Sequence, residues 1–179
     1  MAVTMRQLMK IAIVLMAAGA VAGCGIPRLG FGDKPAATVP NVPRERSVDP
    51  ARALALINEH RTSRGRTPLK HDPRLSGIAR ETARELARRN TLRTEMHTSQ
   101  GIAKRLDAAN YTASRAAENL GAGYPTLVLT VEGWKDSRGH NKNLLNREVT
   151  HAGIGLALTG EGPYKSFWVL LLAAPDEAA

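Results

Sequence analysis

From Asp49 onward the apolar positions fall into helical spacing. Asp49 offers a capping carboxylate and Pro50 a preset φ at the first helical position. Ala53, Leu54, Ile57 and Arg61 follow at three- and four-residue intervals, and Gly65 closes the segment. Asp72-Pro73 repeats the start signal. Leu75, Ile78, Ala79, Thr82, Ala83, Leu86 and Ala87 then form one stripe, with Arg80, Arg84, Arg88 and Arg89 largely opposite. That pattern predicts an amphipathic helix. A polar stretch around His97 leads to a short predicted helix over Ile102–Ala109. The segment Ala116–Gly123 carries Glu118 and breaks at Gly121, Gly123 and Pro125. Gly121-Ala122-Gly123 lacks the strand-to-helix context of a phosphate loop and reads as a turn. Thr126–Trp134 suits a strand as well as a helix. Gly153–Leu158 and Phe167–Ala173 are apolar runs joined by Gly160, Gly162 and Pro163, the signature of a β-hairpin. Helices followed by antiparallel strands imply an α+β sandwich.

The first residues follow a different pattern. Arg6 and Lys10 precede an apolar or small run from Ile11 to Ala22, well short of the roughly 20 residues that span a bilayer. A basic start, a short apolar stretch and small residues at its end describe a secretory signal peptide. The run closes on Val21-Ala22-Gly23-Cys24, which resembles the bacterial lipobox. That resemblance implies cleavage before Cys24 and acylation of its thiol, so residues 1–23 are expected to leave and Cys24 to hold the chain on a membrane. Acyl chains can anchor a protein with no spanning segment, and two make the anchoring stable. Gly25 follows the cysteine in place of an acidic residue. By resemblance to lipoproteins of double-membrane bacteria, this points to the outer membrane or a periplasmic face. Residues 24–49 contain Pro27, Pro35, Pro40 and Pro43 without periodicity, and read as a semi-extended tether. The folded domain is expected over residues 50–175.

Composition narrows the chemistry. The chain has 179 residues, one cysteine and a formal net charge of +9. The lone cysteine excludes a disulfide framework and any multi-cysteine metal site. Arg6 and Lys10 leave with the leader, lowering the charge to +7, and residues 50–179 carry 19 basic against 13 acidic groups. The basic residues are mainly arginine, whose fork suits phosphate and carboxylate. Export makes an anionic envelope polymer or lipid headgroup the expected electrostatic partner. Nucleic acid is not expected, because aromatic interleaving is also absent.

The five histidines are His60, His71, His97, His140 and His151, and none stands in a close metal motif. Trp134, Phe167 and Trp168 read as core. Ser137 lies near His140, but no nucleophile elbow surrounds it; it reads as the cap of the helix carrying His140. Asn119 is expected to satisfy backbone groups beside Glu118.

Several of these positions, taken in order, carry a resemblance. Asn58, Arg61, Pro68-Leu69, Asp72 and Leu75 resemble the first helix and following loop of the SCP/CAP superfamily, the sperm-coating-protein-like domain. His97, Glu118-Asn119-Leu120, Trp134-Lys135-Asp136-Ser137, Gly139-His140, Asn143 and Gly153-Ile154-Gly155 continue the pattern. The match covers about residues 52–173 and is similar to the cysteine-free bacterial branch. It implies a three-layer α-β-α sandwich with an antiparallel sheet. It also implies a cleft in which His97, Glu118 and His140 stand where family members place two histidines and an acid around a divalent metal such as zinc or calcium. The second acid of eukaryotic members falls on Ser137 here, and neither Glu132 nor Asp136 has the matching offset.

Two imidazoles and a carboxylate can bind zinc with an open fourth position, act as general acid and base, or hydrogen-bond to lock three loops together. The residues leave those uses open. The expected function is a membrane-anchored, extracytoplasmic binding module whose groove holds His97, Asn119, Glu118, Ser137 and His140, with an envelope polymer, lipid or peptide as ligand. The alternative is a metal-assisted hydrolase of peptide, phosphodiester or envelope bonds.

Overall fold

The protein is seen here as a computed structural model that describes residues 43–176. The leader, Cys24 and the tether up to residue 42 lie outside the described residues.

Asp49 and Asp72 cap their helices as the sequence leads one to expect. The Asp49 carboxylate accepts from the Ala51 amide, and the Asp72 carboxylate accepts from the amides of Arg74 and Leu75, with proline at the first position each time. They open α1 (Pro50–Thr62) and α2 (Pro73–Arg89). Between them runs a two-residue strand, β1 (Lys70–His71), which periodicity did not show. Asn58 explains it. Its side chain accepts from the Leu69 amide at 2.7 Å and donates to the Leu69 carbonyl at 2.9 Å, laying the segment beside the sheet.

After α2 come a single 3-10 turn at Glu95–His97, then α3 (Ser99–Ala108) and β2 (Ala113–Ala122). The strand runs through Gly121 and Ala122, so the turn expected there begins only at Gly123, whose φ is +83°. Thr126–Trp134 resolves as helix α4 (Leu127–Asp136), because Thr126 caps it and Leu127, Val131 and Trp134 bury one helical face. Helix α5 (Arg138–Leu144) and strands β3 (His151–Leu158) and β4 (Ser166–Pro175) complete the domain.

The sheet order is β1-β3-β4-β2. The β3–β4 and β4–β2 pairs are antiparallel, whereas β1 joins β3 in parallel, so the sheet is mixed and not wholly antiparallel as expected. Helices cover both faces, which is why β4 is a continuous apolar run. Trp168, Leu170 and Leu172 meet α1, α4 and α5 through Ile57, Val131, Trp134 and Leu144. Phe167, Val169, Leu171 and Ala173 meet α2 and α3 through Leu75, Ala79, Leu86, Ile102 and Leu106. This is an α-β-α sandwich, with three helices on one face and two on the other.

Two close approaches set its geometry. A Cβ at Gly153 or Gly155 would fall into the backbone of α2 at Leu75–Ser76 or Ala79–Arg80, so that helix lies directly on β3. On the other face the Trp134 indole donates to the Leu120 carbonyl at 2.9 Å, tying α4 to β2. Buried Arg61 donates to the carbonyls of Thr67, Leu144 and Asn146, closing the C-terminal end of α5. Arg44 and Glu45, expected in the tether, dock on the domain. The Glu45 amide donates to the Pro125 carbonyl at 2.9 Å, and its carboxylate accepts from the Leu127 amide and from Arg52.

Candidate functional site

Strand β2 is one of the two edge strands of the sheet, and its alternation sends neighbouring side chains to opposite layers. Glu118 stands among α2 and α3, and Asn119 faces α5. Their side chains therefore connect both helical layers across one sheet edge.

Glu118 is fully enclosed, with 0% of its side chain exposed. One carboxylate oxygen accepts from the Arg105 guanidinium at 2.7 Å, and the other from His97 Nδ1 at 2.8 Å. A carboxylate paired with a guanidinium is an acceptor only, so Nδ1 of His97 must carry the proton. The imidazole is thereby oriented with its other nitrogen, Nε2, as the acceptor in its neutral form. His97 is 38% exposed.

The turn carrying His97 is held from below. Thr94 caps it, and a Cβ at Gly101 would lie 2.5 Å from the carbonyl oxygens of Glu95 and Met96, so the turn sits on the first turn of α3. Arg105 then reaches up to the Met96 carbonyl at 2.8 Å and sideways to the Thr82 hydroxyl at 2.7 Å. One guanidinium thus joins α2, α3, the His97 turn and β2.

On the other side Asn119 is fully buried and donates to the His140 carbonyl at 3.1 Å. Asn143 donates to the Glu118 carbonyl and to the Asn119 side chain, both at 3.0 Å. Asn119 therefore satisfies a backbone group of α5, across the sheet edge, and not one beside Glu118 as expected. The His140 ring is half-buried. Burial, and then the charge of His97, hold its pKa below the usual histidine value. Both effects favour a neutral ring near pH 7.

Ser137 occupies the cap position of α5, but its hydroxyl makes no capping bond; only its carbonyl serves the helix, accepting from Asn141 at 2.8 Å. Glu132 does not supply the missing acid, because it pairs with Lys135 on the outer face of α4. The other histidines lie elsewhere: His60 contacts Asn141 and Arg64, His71 contacts Ser76, and His151 contacts Thr150.

The expected metal site fits poorly. Among the described residues, no three His, Cys, Asp or Glu side chains are arranged to hold a metal ion. Both Glu118 oxygens already accept charged or polarised N–H groups, and the positive charge a metal would bring is supplied by Arg105. Sequence reasoning missed that arginine. Nothing in the Ile102–Ala109 pattern separates it from a solvated helix residue.

A sandwich built in this order, with His97, Glu118 and His140 at one sheet edge, invites comparison with known proteins. The family profile described as CAP, the cysteine-rich secretory protein family, matches residues 54–172. The chain belongs to the CAP family. Protein YkwD of Bacillus subtilis is 28% identical over 123 residues, covering 69% of this chain and 48% of YkwD. The Bacillus subtilis membrane protein YlbC is 29% identical over 103 residues, covering 58% of this chain and 30% of its own length. This CAP chain thus spans about half or less of these relatives. Among solved structures, an outer surface protein of Borrelia burgdorferi superposes with a TM-score of 0.61 at 22% identity, covering 73% of this chain and 98% of that one. An extracellular SCP-domain protein of Bacillus anthracis gives 0.60 at 23%, covering 70% and 40%. These likenesses show the shared CAP fold.

Proposed function

We propose that this CAP domain is an extracytoplasmic binding module, held at the cell envelope through Cys24, whose ligand docks at the β2 edge against His97 and His140. The observation that carries the reading is the enclosure of Glu118. With both oxygens engaged and none of its side chain exposed, it orients His97 and does not meet a ligand. What a ligand meets is the part-exposed imidazole of His97, oriented by Glu118, and the ring of His140, a surface suited to hydrogen bonding with polar ligand groups. A hydrolytic reading needs Glu118 free to activate water, and this geometry does not favour it. The lipobox, the leader and relatives described as extracellular and outer-surface proteins support the location.

The test uses the purified chain with its leader removed. Peptidoglycan fragments, heparin and phospholipid vesicles are added separately, while NMR amide shifts of the His97 turn and α5 are followed. One of these probes should perturb both elements, and His97→Ala and His140→Ala should each weaken its binding. Binding unchanged in both variants would overturn the proposal. Anchoring is tested by palmitate labelling in cells, which Cys24→Ala should abolish together with membrane retention.

A further inference from the structure

A second concavity lies between α2 and α3, on the layer opposite α4 and α5. It is a groove open to solvent, with a volume of about 520 Å³. Gly77 and Ile78 of α2, Met96 of the 3-10 turn, and Ala108 and Ala109 at the end of α3 form its apolar walls. Thr82 and Arg105 stand at one end, and Arg74 and Glu81 complete the lining.

Gly77 is the first clue. A glycine inside a helix costs roughly 1 kcal/mol against alanine, so a mid-helix glycine calls for a reason. Packing supplies none, because a Cβ built at Gly77 meets nothing within 4 Å. Its effect is to leave the groove open. Gly153 and Gly155 differ, since protein backbone fills their space.

Charge is the second clue. Arg74 is anchored by Nη2, which donates to the carbonyls of Ala109 at 3.0 Å and Asn110 at 2.6 Å, and its guanidinium lies 5.1 Å from the centre of the Tyr111 ring. Among the described residues, its Nε and Nη1 have no hydrogen-bond partner. Arg105 adds a second positive charge, although Glu118 compensates it. The one acid of the lining, Glu81, pairs with Arg84 on the exposed side of α2 and keeps 69% of its side chain exposed. The groove therefore presents an apolar interior beside a fixed guanidinium with donors to spare.

We propose that the α2–α3 groove binds a small amphipathic anion, its apolar body against Gly77, Ile78, Met96 and Ala108 and its carboxylate, sulfonate or phosphate on Arg74. The groove shares Arg105 and Met96 with the scaffold of the β2 edge, but the proposal does not depend on the reading given for that edge.

Two fluorescent probes of similar shape test it: anilinonaphthalene sulfonate, which is anionic, and N-phenyl-1-naphthylamine, which is neutral. Each is titrated against the full chain with its leader removed. Wild-type protein should bind both saturably at one site. Gly77→Leu fills open space and improves helix propensity, so it should melt no lower than wild type while losing both probes. Ala108→Leu, which blocks the same groove from α3, should do the same. Arg74→Gln should weaken the sulfonate about tenfold, the value of a hydrogen bond to a charged group, and leave the neutral probe within about twofold. Sulfonate binding that survives both leucine variants, or an Arg74→Gln effect equal for both probes, would overturn the assignment. Loss of both probes only in a variant whose melting temperature has collapsed would also count against it, since the groove would then be a packing surface.

Discussion

Replacing Arg105 by methionine should be among the most damaging single changes at the β2 edge. The substitution keeps an unbranched stem but removes the donors to Glu118, Thr82, Met96 and Gly101. Glu118 is fully enclosed and Arg105 is 16% exposed, so the pair is buried and not a surface contact. Breaking such a pair from one side costs about 3–5 kcal/mol, chiefly for the stranded charge. His97 still donates to Glu118, and water can enter where the guanidinium stood, which favours the lower end, about 3 kcal/mol. At about 2 kcal/mol per molar in urea, the unfolding midpoint should fall by roughly 1.5 M. Replacing both partners, Arg105→Met with Glu118→Leu, leaves no stranded charge and should recover most of that loss, because apolar replacement of a buried pair is often near neutral. The double-mutant cycle should give a coupling of at least about 2 kcal/mol, larger by whatever Glu118→Leu costs alone. An Arg105→Met protein within about 1 kcal/mol of wild type, or additive single and double variants, would refute the argument, since contacting charges should couple.

Other outcomes follow from the same geometry. His140 should titrate by NMR below the ordinary histidine midpoint, and His97→Ala should raise that midpoint by removing a neighbouring charge. Because its folded pKa is depressed, the unfolded chain binds the proton first as pH falls below about 6.5, so stability present at neutral pH declines from there down through the folded pKa. His140→Gln should flatten that limb of a stability-against-pH curve, and an unchanged slope would sink the assignment. Asn119→Ala strands the His140 carbonyl and a donor of Asn143, and should cost about 2 kcal/mol by urea unfolding while speeding amide exchange in α5. Trp134→Phe leaves the Leu120 carbonyl without its indole donor and opens a small void, lowering thermal stability by about 1–3 kcal/mol.

What could be read from the residues depended on how local the cause was. The α1 and α2 starts were visible because a capping carboxylate and a proline act within four residues. The β3–β4 hairpin was visible because its turn glycines and apolar runs adjoin. Strand β1 was not, because two residues carry no period and their placement comes from the Asn58 side chain eleven positions away. Helix α4 was ambiguous because Leu, Val and Thr suit either state, and only burial of Leu127, Val131 and Trp134 on one face decides it. At the site, the resemblance singled out His97, Glu118 and His140, but not what lies between them. Arg105 belongs to the site through distances no spacing rule encodes. The groove at Gly77 was hidden for the opposite reason: its meaning lies in space where no atom stands.

The glycine seam between β3 and α2 settles which side of that groove can yield. At Gly153 and Gly155 the backbone of α2 rests directly on strand backbone, in addition to its packing through Leu75, Ala79 and Leu86, so rolling or sliding α2 there would collide with the sheet. Helix α3 rests on the same sheet through fewer groups, Ile102 and Leu106 together with the Arg105–Glu118 pair. The groove is therefore a vice with one jaw welded and one jaw hinged. Any widening to admit a bulkier guest must appear as displacement of α3, and because Arg105 rides on that jaw, the same movement tugs on Glu118 and on the imidazole it aims.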